Sequence, residues 1–171
     1  GIFESLSKII SNTKELLIQA NDTLKRSLDK RNFVTAIYGI INKKNGKLNF
    51  ARAGHTPILL CSGESIESIQ PPGIGLGLDY NLGFASSLKE MEIQLKNNDI
   101  IICYSDGIPE AKNHKEEDFG YDRLDTIVLN NREKSLDLIS NAVMKELSVF
   151  SKNHSQHDDI TLVLFKWNQN N

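Results

Sequence analysis

Two aspartate dipeptides in this sequence stand at the ends of apolar, strand-like runs. Asp106 and Gly107 follow "IIICYS", and Asp158 and Asp159 precede "ITLVLF". A carboxylate at a strand end is held by a rigid sheet, which suits a hard cation that needs oxygen ligands in fixed positions. Glycine lets a carbonyl or an ion come close, and adjacent aspartates repel unless a cation or hydrogen bonds compensate. The residues predict candidate metal ligands, with a plain turn as the alternative for Asp106–Gly107.

Other residues that could do chemistry have weaker support. His55 in "ARAGHTP" is a metal ligand or a hydrogen-bonded loop histidine. Ser105 has no base beside it, so a hydrolase triad is not supported. The loop "GIGLG" lacks a following Lys-Ser/Thr and does not join a strand to a helix, which excludes a nucleotide-binding loop. The remaining histidines lie in polar loops without metal-ligand spacing: His114, His154 and His157.

Turn and periodicity signals predict helices, then hairpin-linked strands, then helices and a closing strand. Asn12 and Glu15 form a capping-box pattern for a helix that runs to about Leu28. "KKNG" and the segment around Gly63 predict two hairpins. Further strands are expected at 33–41, 88–95, 100–104 and 160–167, and helices at 121–129 and 133–150. This order favours antiparallel sheet with helices packed on it.

Composition sets the class of protein. The chain has 171 residues, 39% of them hydrophobic, and a formal net charge of −2, which suits one domain over residues 1–171 and argues against a nucleic-acid surface. Cys61 and Cys103 are predicted to be buried, reduced thiols. No apolar stretch approaches the ~20 residues needed to span a bilayer. We therefore expect a cytoplasmic domain without membrane contact.

Five motifs occur in an order that is specific, although each alone is weak. They are "NFVTAIYGIINKKNGKLNFARAGHTPILL", "GIGLGL", "LKNNDIIICYSDGIPEA", "FGYDRL" and "QHDDITLVLFK". Through them the chain resembles the bacterial SpoIIE-type (RsbU-like) branch of the metal-dependent type 2C Ser/Thr protein phosphatases. The resemblance covers nearly the whole chain.

The resemblance implies a fold, an activity and a set of ligands. The fold is α+β, an αββα sandwich of two antiparallel sheets flanked by helices. The activity is hydrolysis of phosphoserine or phosphothreonine by a metal-activated water, with two Mn²⁺ or Mg²⁺ ions held by aspartates. Asp106 and Asp158 match metal ligands, with Gly107 and Asp159 as their neighbours. The implied substrate is a small phosphorylated protein of the anti-sigma-factor antagonist type.

The resemblance also covers residues without a ligand role. Gly54 and His55 match an "AGH" motif whose part is expected to be mainly structural. Gly120 matches the glycine of the "FG" motif, and Thr161 matches the threonine of the closing motif.

One departure limits the activity expected of this chain. The family's first metal motif, an early Asp-Gly, has no match in residues 1–32. We therefore expect an N-terminally truncated phosphatase domain with at most one weak metal site and little or no activity, within an active parent protein. An open sheet edge would favour a homodimer through that edge or through the N-terminal helices.

Two other classes of function remain as alternatives. One is a non-catalytic module that binds a phosphoprotein or dimerises in a partner-switching signalling pathway, and the other is a purely structural domain. Retention of Asp106, Asp158 and Asp159 favours the enzyme, since a dead homologue has no chemical reason to keep aspartates that repel each other.

Overall fold

The computed structural model describes residues 1–29, 32–78, 83–152 and 158–169. Over these ranges the helices are α1 (Ile2–Ser7), α2 (Thr13–Leu24), α3 (Phe84–Ser87), α4 (Tyr121–Asn131) and α5 (Leu136–Phe150). The strands are β1 (Ala36–Asn42), β2 (Lys47–Ala53), β3 (Ile58–Ser62), β4 (Ser65–Ile69), β5 (Glu90–Gln94), β6 (Ile100–Tyr104) and β7 (Leu162–Lys166). Contacts divide the chain into a first unit, Gly1–His55 with Gln70–Leu95, and a second unit, Thr56–Ile69 with Lys96–Asn171.

The first unit contains a three-stranded antiparallel sheet in the order β1-β2-β5. Gly46 closes the β1–β2 hairpin at a φ of 71° and donates its N–H to the Asn42 carbonyl at 2.8 Å. Helix α2 begins where predicted, because the Asn12 side chain accepts the Glu15 N–H at 2.8 Å. The core of this unit joins α2 to the strands through Leu17, Ala51, Ala53, Leu76, Phe84 and Leu88.

The second unit contains a four-stranded antiparallel sheet in the order β4-β3-β6-β7. Strand β6 lies between β3 and β7, and Ile102 stands opposite both Leu59 and Leu164. The first three residues of β6 are buried, which explains why this strand is apolar at successive positions. Helices α4 and α5 contribute the rest of the core through Leu124, Val128, Ile139, Val143 and Leu147.

The expected fold class is confirmed: the chain is α+β, with two antiparallel sheets and helices. The extent of a single domain over residues 1–171 stays a prediction. Both cysteines are free, and Cys61 is buried as predicted, whereas Cys103 is only half-buried. No helix in the described ranges is long and apolar enough to cross a membrane.

Several element bounds differ from the sequence-based expectation. Helix α2 ends at Leu24, four residues before the expected end at about Leu28. The chain then continues in turns, and the Leu28 N–H donates to the Leu24 carbonyl at 2.8 Å. Strand β1 begins at Ala36, because Val34 forms an isolated bridge with Leu76 before the β1–β2 pairing starts. Helix α3 precedes β5 and was not predicted, since its four residues are too few to show a helical period.

Candidate functional site

Ser105 joins the end of β6 to the segment before β7. Its N–H donates to the Thr161 carbonyl at 3.0 Å, which extends the β6–β7 pairing by one step. Its hydroxyl donates to the Asp159 carbonyl at 2.8 Å and accepts the Thr161 N–H at 2.8 Å. We call residues 105–107 and 158–161 the aspartate corner. Ser105 therefore holds the two predicted ligand segments together, a role that sequence reasoning missed when it weighed this serine only as a nucleophile.

Gly107 makes the close approach of these two segments possible. It is buried, and a Cβ at this position would lie 2.5 Å from the Asp159 carbonyl oxygen and 3.4 Å from that of Asp158. Any larger residue would push the Asp158–Asp159 backbone away from β6. The glycine lets backbone carbonyls come close, as the sequence suggested, and the two dipeptides that are 52 positions apart in sequence meet at one corner.

A tight turn presents the Asp106 side chain to solvent. The Ser105 carbonyl accepts the Ile108 N–H at 3.2 Å, and the Asp106 carbonyl accepts the Glu110 N–H at 3.0 Å. Ile108 is fully buried in the core of the second unit and anchors the turn, while Asp106 is exposed. The backbone at Asp106–Gly107 therefore forms a turn, as the alternative interpretation expected. This turn leaves the Asp106 carboxylate pointing away from the core.

The second aspartate segment is also exposed. The Asp158 carboxylate accepts the N–H of Asp159 at 2.8 Å, so part of its hydrogen-bonding capacity is used locally. Both carboxylates are exposed to water. The aspartate corner therefore displays three carboxylates from two segments, and their position depends on the backbone bonds of Ser105.

The "FG" motif packs on the turn that follows Asp106. Phe119 donates its N–H to the Ala111 carbonyl and Gly120 donates to the Pro109 carbonyl, both at 2.8 Å. Gly120 has a φ of 81° and begins helix α4. The Phe119 ring is buried and meets the Phe150 ring edge-on, with 5.4 Å between centroids. This motif thus fixes the far side of the Asp106 turn to the core.

The "AGH" motif has no carboxylate and is built from backbone packing. Gly54 has a φ of 68° and donates its N–H to the Gly73 carbonyl at 3.1 Å. A Cβ at Gly54 would lie 2.6 Å from the Gly75 nitrogen, and one at Gly73 would lie 1.8 Å from the Arg52 carbonyl oxygen. We call residues 52–55 and 71–75 the glycine corner.

Arg52 stabilises the glycine corner and was missed by sequence reasoning. Its side chain is buried and donates to the carbonyls of Pro71, at 2.9 Å, and of His55. Burial lowers the pKa of Arg52. The His55 ring lies within hydrogen-bonding distance of the Thr35 hydroxyl, 3.0 Å from Nδ1, which agrees with the loop-histidine alternative. No local signal marks Arg52, because its acceptors are backbone carbonyls, one of them nineteen residues away.

The carboxylate oxygens of the aspartate corner are ligands of the type that one hydrated divalent cation binds. Mg²⁺ commonly uses one or two carboxylates and completes its shell with water. The described ranges contain no group of three or more His, Cys, Asp or Glu side chains that could hold a metal ion. The expected ligands Asp106, Gly107, Asp158 and Asp159, and the expectation of at most one weak site, remain predictions. His154 and His157 lie outside the described residues, and His114 lies in an exposed loop.

Solved structures with the same fold are PP2C phosphatase domains. The SiaA-PP2C domain of Pseudomonas aeruginosa matches with a TM-score of 0.80 at 18% identity, over 98% of this chain and 65% of that chain. The phosphatase domain of SpoIIE from Bacillus subtilis, presoaked with Mn, matches with a TM-score of 0.62 at 19% identity, over 99% of this chain and 73% of that chain. The fold is that of a PP2C-type phosphatase domain.

The sequence places the chain within one family of that class. The model of the family "Stage II sporulation protein E (SpoIIE)" matches residues 1–168, and the chain belongs to this family. Protein IcfG of Synechocystis is 30% identical over 79% of this chain and 21% of the relative. Phosphoserine phosphatase RsbU of Bacillus subtilis is 21% identical over 95% of this chain and 48% of the relative. The chain thus spans less than half the length of these relatives.

Proposed function

We propose that this chain contributes to a metal-dependent protein serine/threonine phosphatase, with the aspartate corner as its cation site. The observation that carries the proposal is the contact set of Ser105 and Gly107, the two neighbours of Asp106, with the Asp158–Thr161 segment in a chain of the SpoIIE family. Exposed carboxylates at this corner suit a cation that must reach a phosphate group on another protein.

The proposed cofactor is Mn²⁺ or Mg²⁺, with at most one weak site in this chain. Asp106 and Asp158 are the carboxylates that would hold it, and Ser105 fixes the backbone on which both are carried. A divalent cation bound there supplies charge that neutralises phosphoryl oxygens and lowers the pKa of water. Because the described ranges offer no larger ligand group, we propose that activity of this chain alone is weak or nil.

The proposed substrate is a phosphoserine or phosphothreonine on a small regulatory protein of the anti-sigma-factor antagonist type. Support comes from the relative RsbU, which is named a phosphoserine phosphatase and aligns over 95% of this chain. The exposed position of Asp106 lets a protein-borne phosphate approach without an enclosed pocket. A cytoplasmic location and an active parent protein also remain predictions.

The test is Mn²⁺-dependent hydrolysis of a phosphoserine peptide, using the chain, Asp106→Asn, Asp158→Asn and the control Glu110→Gln. Glu110 is an exposed carboxylate in the same turn whose side chain has no assigned role. We expect turnover well below the median enzymatic value of about 10 s⁻¹, lost in both aspartate variants and retained in Glu110→Gln. Metal-independent turnover, or turnover that survives both aspartate variants, would overturn the phosphatase proposal.

A second candidate, dimerisation, is favoured by the exposed edge of the second unit. Strand β7 pairs only with β6 among the described strands, and its Val163 and Phe165 side chains are 55% and 39% exposed. An apolar edge strand with open backbone groups is a template for pairing with another chain. We propose that two copies of this chain associate through β7, rather than through the N-terminal helices.

Light scattering at increasing protein concentration tests this association. Val163→Lys should shift the protein towards monomer, because lysine on an edge strand opposes pairing. Val149→Lys is the matched control, since Val149 is a 62% exposed apolar residue on α5. A wild-type monomer at all concentrations, or equal effects of the two variants, would count against the β7 interface.

A further inference from the structure

The hydroxyl group of Tyr104 is buried without a hydrogen-bond partner. Tyr104 is the last residue of β6, is 1% exposed, and its Oη has no donor or acceptor within reach in the described part of the chain. Leaving a buried hydroxyl unpaired destabilises the folded state, because the group loses its hydrogen bonds to water and gains none in return. Native proteins therefore seldom retain such a group unless another molecule or side chain satisfies it.

A second buried polar atom without a partner is Oδ1 of Asp125 on helix α4. The Tyr121 ring meets the Tyr104 ring edge-on, with 6.4 Å between centroids. Tyr121 and Asp125 are four residues apart on one helix, so they share a face, and that face lies against Tyr104.

We propose that one buried water molecule bridges Tyr104 Oη and Asp125 Oδ1. The tyrosine hydroxyl donates to the water oxygen, and the water donates to the carboxylate. The two atoms do not bond each other directly, since each is without a partner, and buried waters with two to four polar partners satisfy groups of this kind. The bridge satisfies both atoms and ties α4 to the end of β6.

The bridge makes Tyr104 and Asp125 positioning residues for the aspartate corner. Tyr104 directly precedes Ser105, whose backbone and hydroxyl hold the Asp158–Thr161 segment. A fixed Tyr104 therefore limits the movement of the Ser105 bonds and of the Asp106 turn. This consequence, unlike the bridge itself, rests on the proposed cation site.

A double-mutant cycle in urea unfolding tests the bridge, with Tyr104→Phe, Asp125→Ala and the double variant. We expect Tyr104→Phe to lower the folding equilibrium constant about fivefold in the wild type and to have little effect in Asp125→Ala, a coupling typical of hydrogen-bonded pairs. Asp125→Asn keeps an acceptor and should retain most of the coupling. Cycles with Asp122→Ala, an exposed carboxylate of the same helix, should be additive.

Two further readouts keep the proposal falsifiable if a variant fails to fold. In the wild-type protein, the Tyr104 hydroxyl proton should give a resolved NMR signal with slow exchange and a cross-relaxation contact to a bound water. An additive Tyr104–Asp125 cycle, or a rapidly exchanging hydroxyl proton, would overturn the bridge.

The positioning role has its own readout in Mn²⁺ affinity. Tyr104→Phe should weaken Mn²⁺ binding severalfold, and Asp122→Ala should not. Coupling in the cycle with unchanged Mn²⁺ affinity would overturn the positioning role and leave the bridge intact. Wild-type protein that binds no Mn²⁺ would instead count against the proposed cation site, because the cycle does not depend on metal.

Discussion

The glycine corner and the aspartate corner are built in the same way and differ in what they expose. In the glycine corner, Gly54 and Gly73 bring two backbone segments together, and buried Arg52 supplies the remaining hydrogen bonds. In the aspartate corner, Gly107 and Ser105 do the same for two other segments, but the side chains left at the surface are carboxylates.

The difference separates a structural motif from a chemical one. In the glycine corner, the Arg52 side chain is paired with backbone carbonyls of the same chain. The aspartate corner leaves like charges side by side on a rigid frame, which is stable only when a cation, hydrogen bonds or water compensates. Changes to the glycine corner should therefore act on stability, and changes to the aspartate carboxylates should act on binding.

Gly73→Ala should have the largest effect on stability. Its Cβ would lie 1.8 Å from the Arg52 carbonyl oxygen and 2.8 Å from Leu88 Cδ2, so the backbone of the glycine corner must shift. We expect a loss of about 3 kcal/mol or more in the free energy of unfolding, measured by urea denaturation.

Gly63→Ala is the control for Gly73→Ala. Gly63 lies in the β3–β4 hairpin at a φ of 57°, and an added methyl group there would meet no other atom within 4 Å. Only backbone strain of about 1 kcal/mol is therefore expected. Equal losses in the two variants would show that the close packing at Gly73 does not control stability.

Gly107→Ala should have an intermediate effect on stability and should also change cation binding. Its Cβ would meet the Asp159 carbonyl at 2.5 Å, which forces the two aspartate segments apart at a cost of about 2 kcal/mol. Urea denaturation and Mn²⁺ titration of the same sample measure both consequences. A variant with wild-type stability would show that the 158–161 segment moves aside without loss, and the corner would then not be rigid.

Asp125→Asn should have the smallest effect, and its sign depends on pH. Burial raises the pKa of the Asp125 carboxyl, and Asp122 raises it further. The folded state therefore binds this proton more tightly than the unfolded state, so stability falls as pH rises through the raised pKa. At pH 7 the variant should be more stable by about 0.5 kcal/mol or less, after allowance for solvent screening.

The gain from Asp125→Asn should disappear below the ordinary carboxyl pKa of about 3.9, where both states are protonated. Thermal unfolding across this pH range measures it, and Glu146→Gln, at an exposed carboxylate of α5, is the control. A gain that grows towards low pH would contradict the assigned direction of the shift.

Local chemistry made much of the fold predictable from sequence. The Asn12 cap, the Gly46 turn and the apolar run of β6 each depend on a few neighbouring residues, and each appears where expected. Helix α3 and the early end of α2 depend on tertiary packing, which no short window of sequence contains.

The candidate site was predictable in its residue types and not in its construction. Strand-end aspartates and their glycine neighbour are visible in the sequence, and the family order connects them. Three features depend on contacts between distant segments: the hydrogen bonds of Ser105 to the 158–161 segment, those of the Arg52 side chain to backbone carbonyls, and the unpaired Tyr104 hydroxyl. Such contacts leave no pattern in a single sequence.

Calorimetric titration with Mn²⁺ tests the central claim most directly, on the wild type, Asp106→Ala and the control Glu110→Ala. Both substitutions replace an exposed carboxylate of the same turn and should change stability by no more than about 0.5 kcal/mol. We predict weak binding, with Kd on the order of 10⁻³ M as in weak cation sites, that Asp106→Ala abolishes and Glu110→Ala retains. Absence of binding in all three proteins, or equal binding in all three, would contradict a cation site at the aspartate corner.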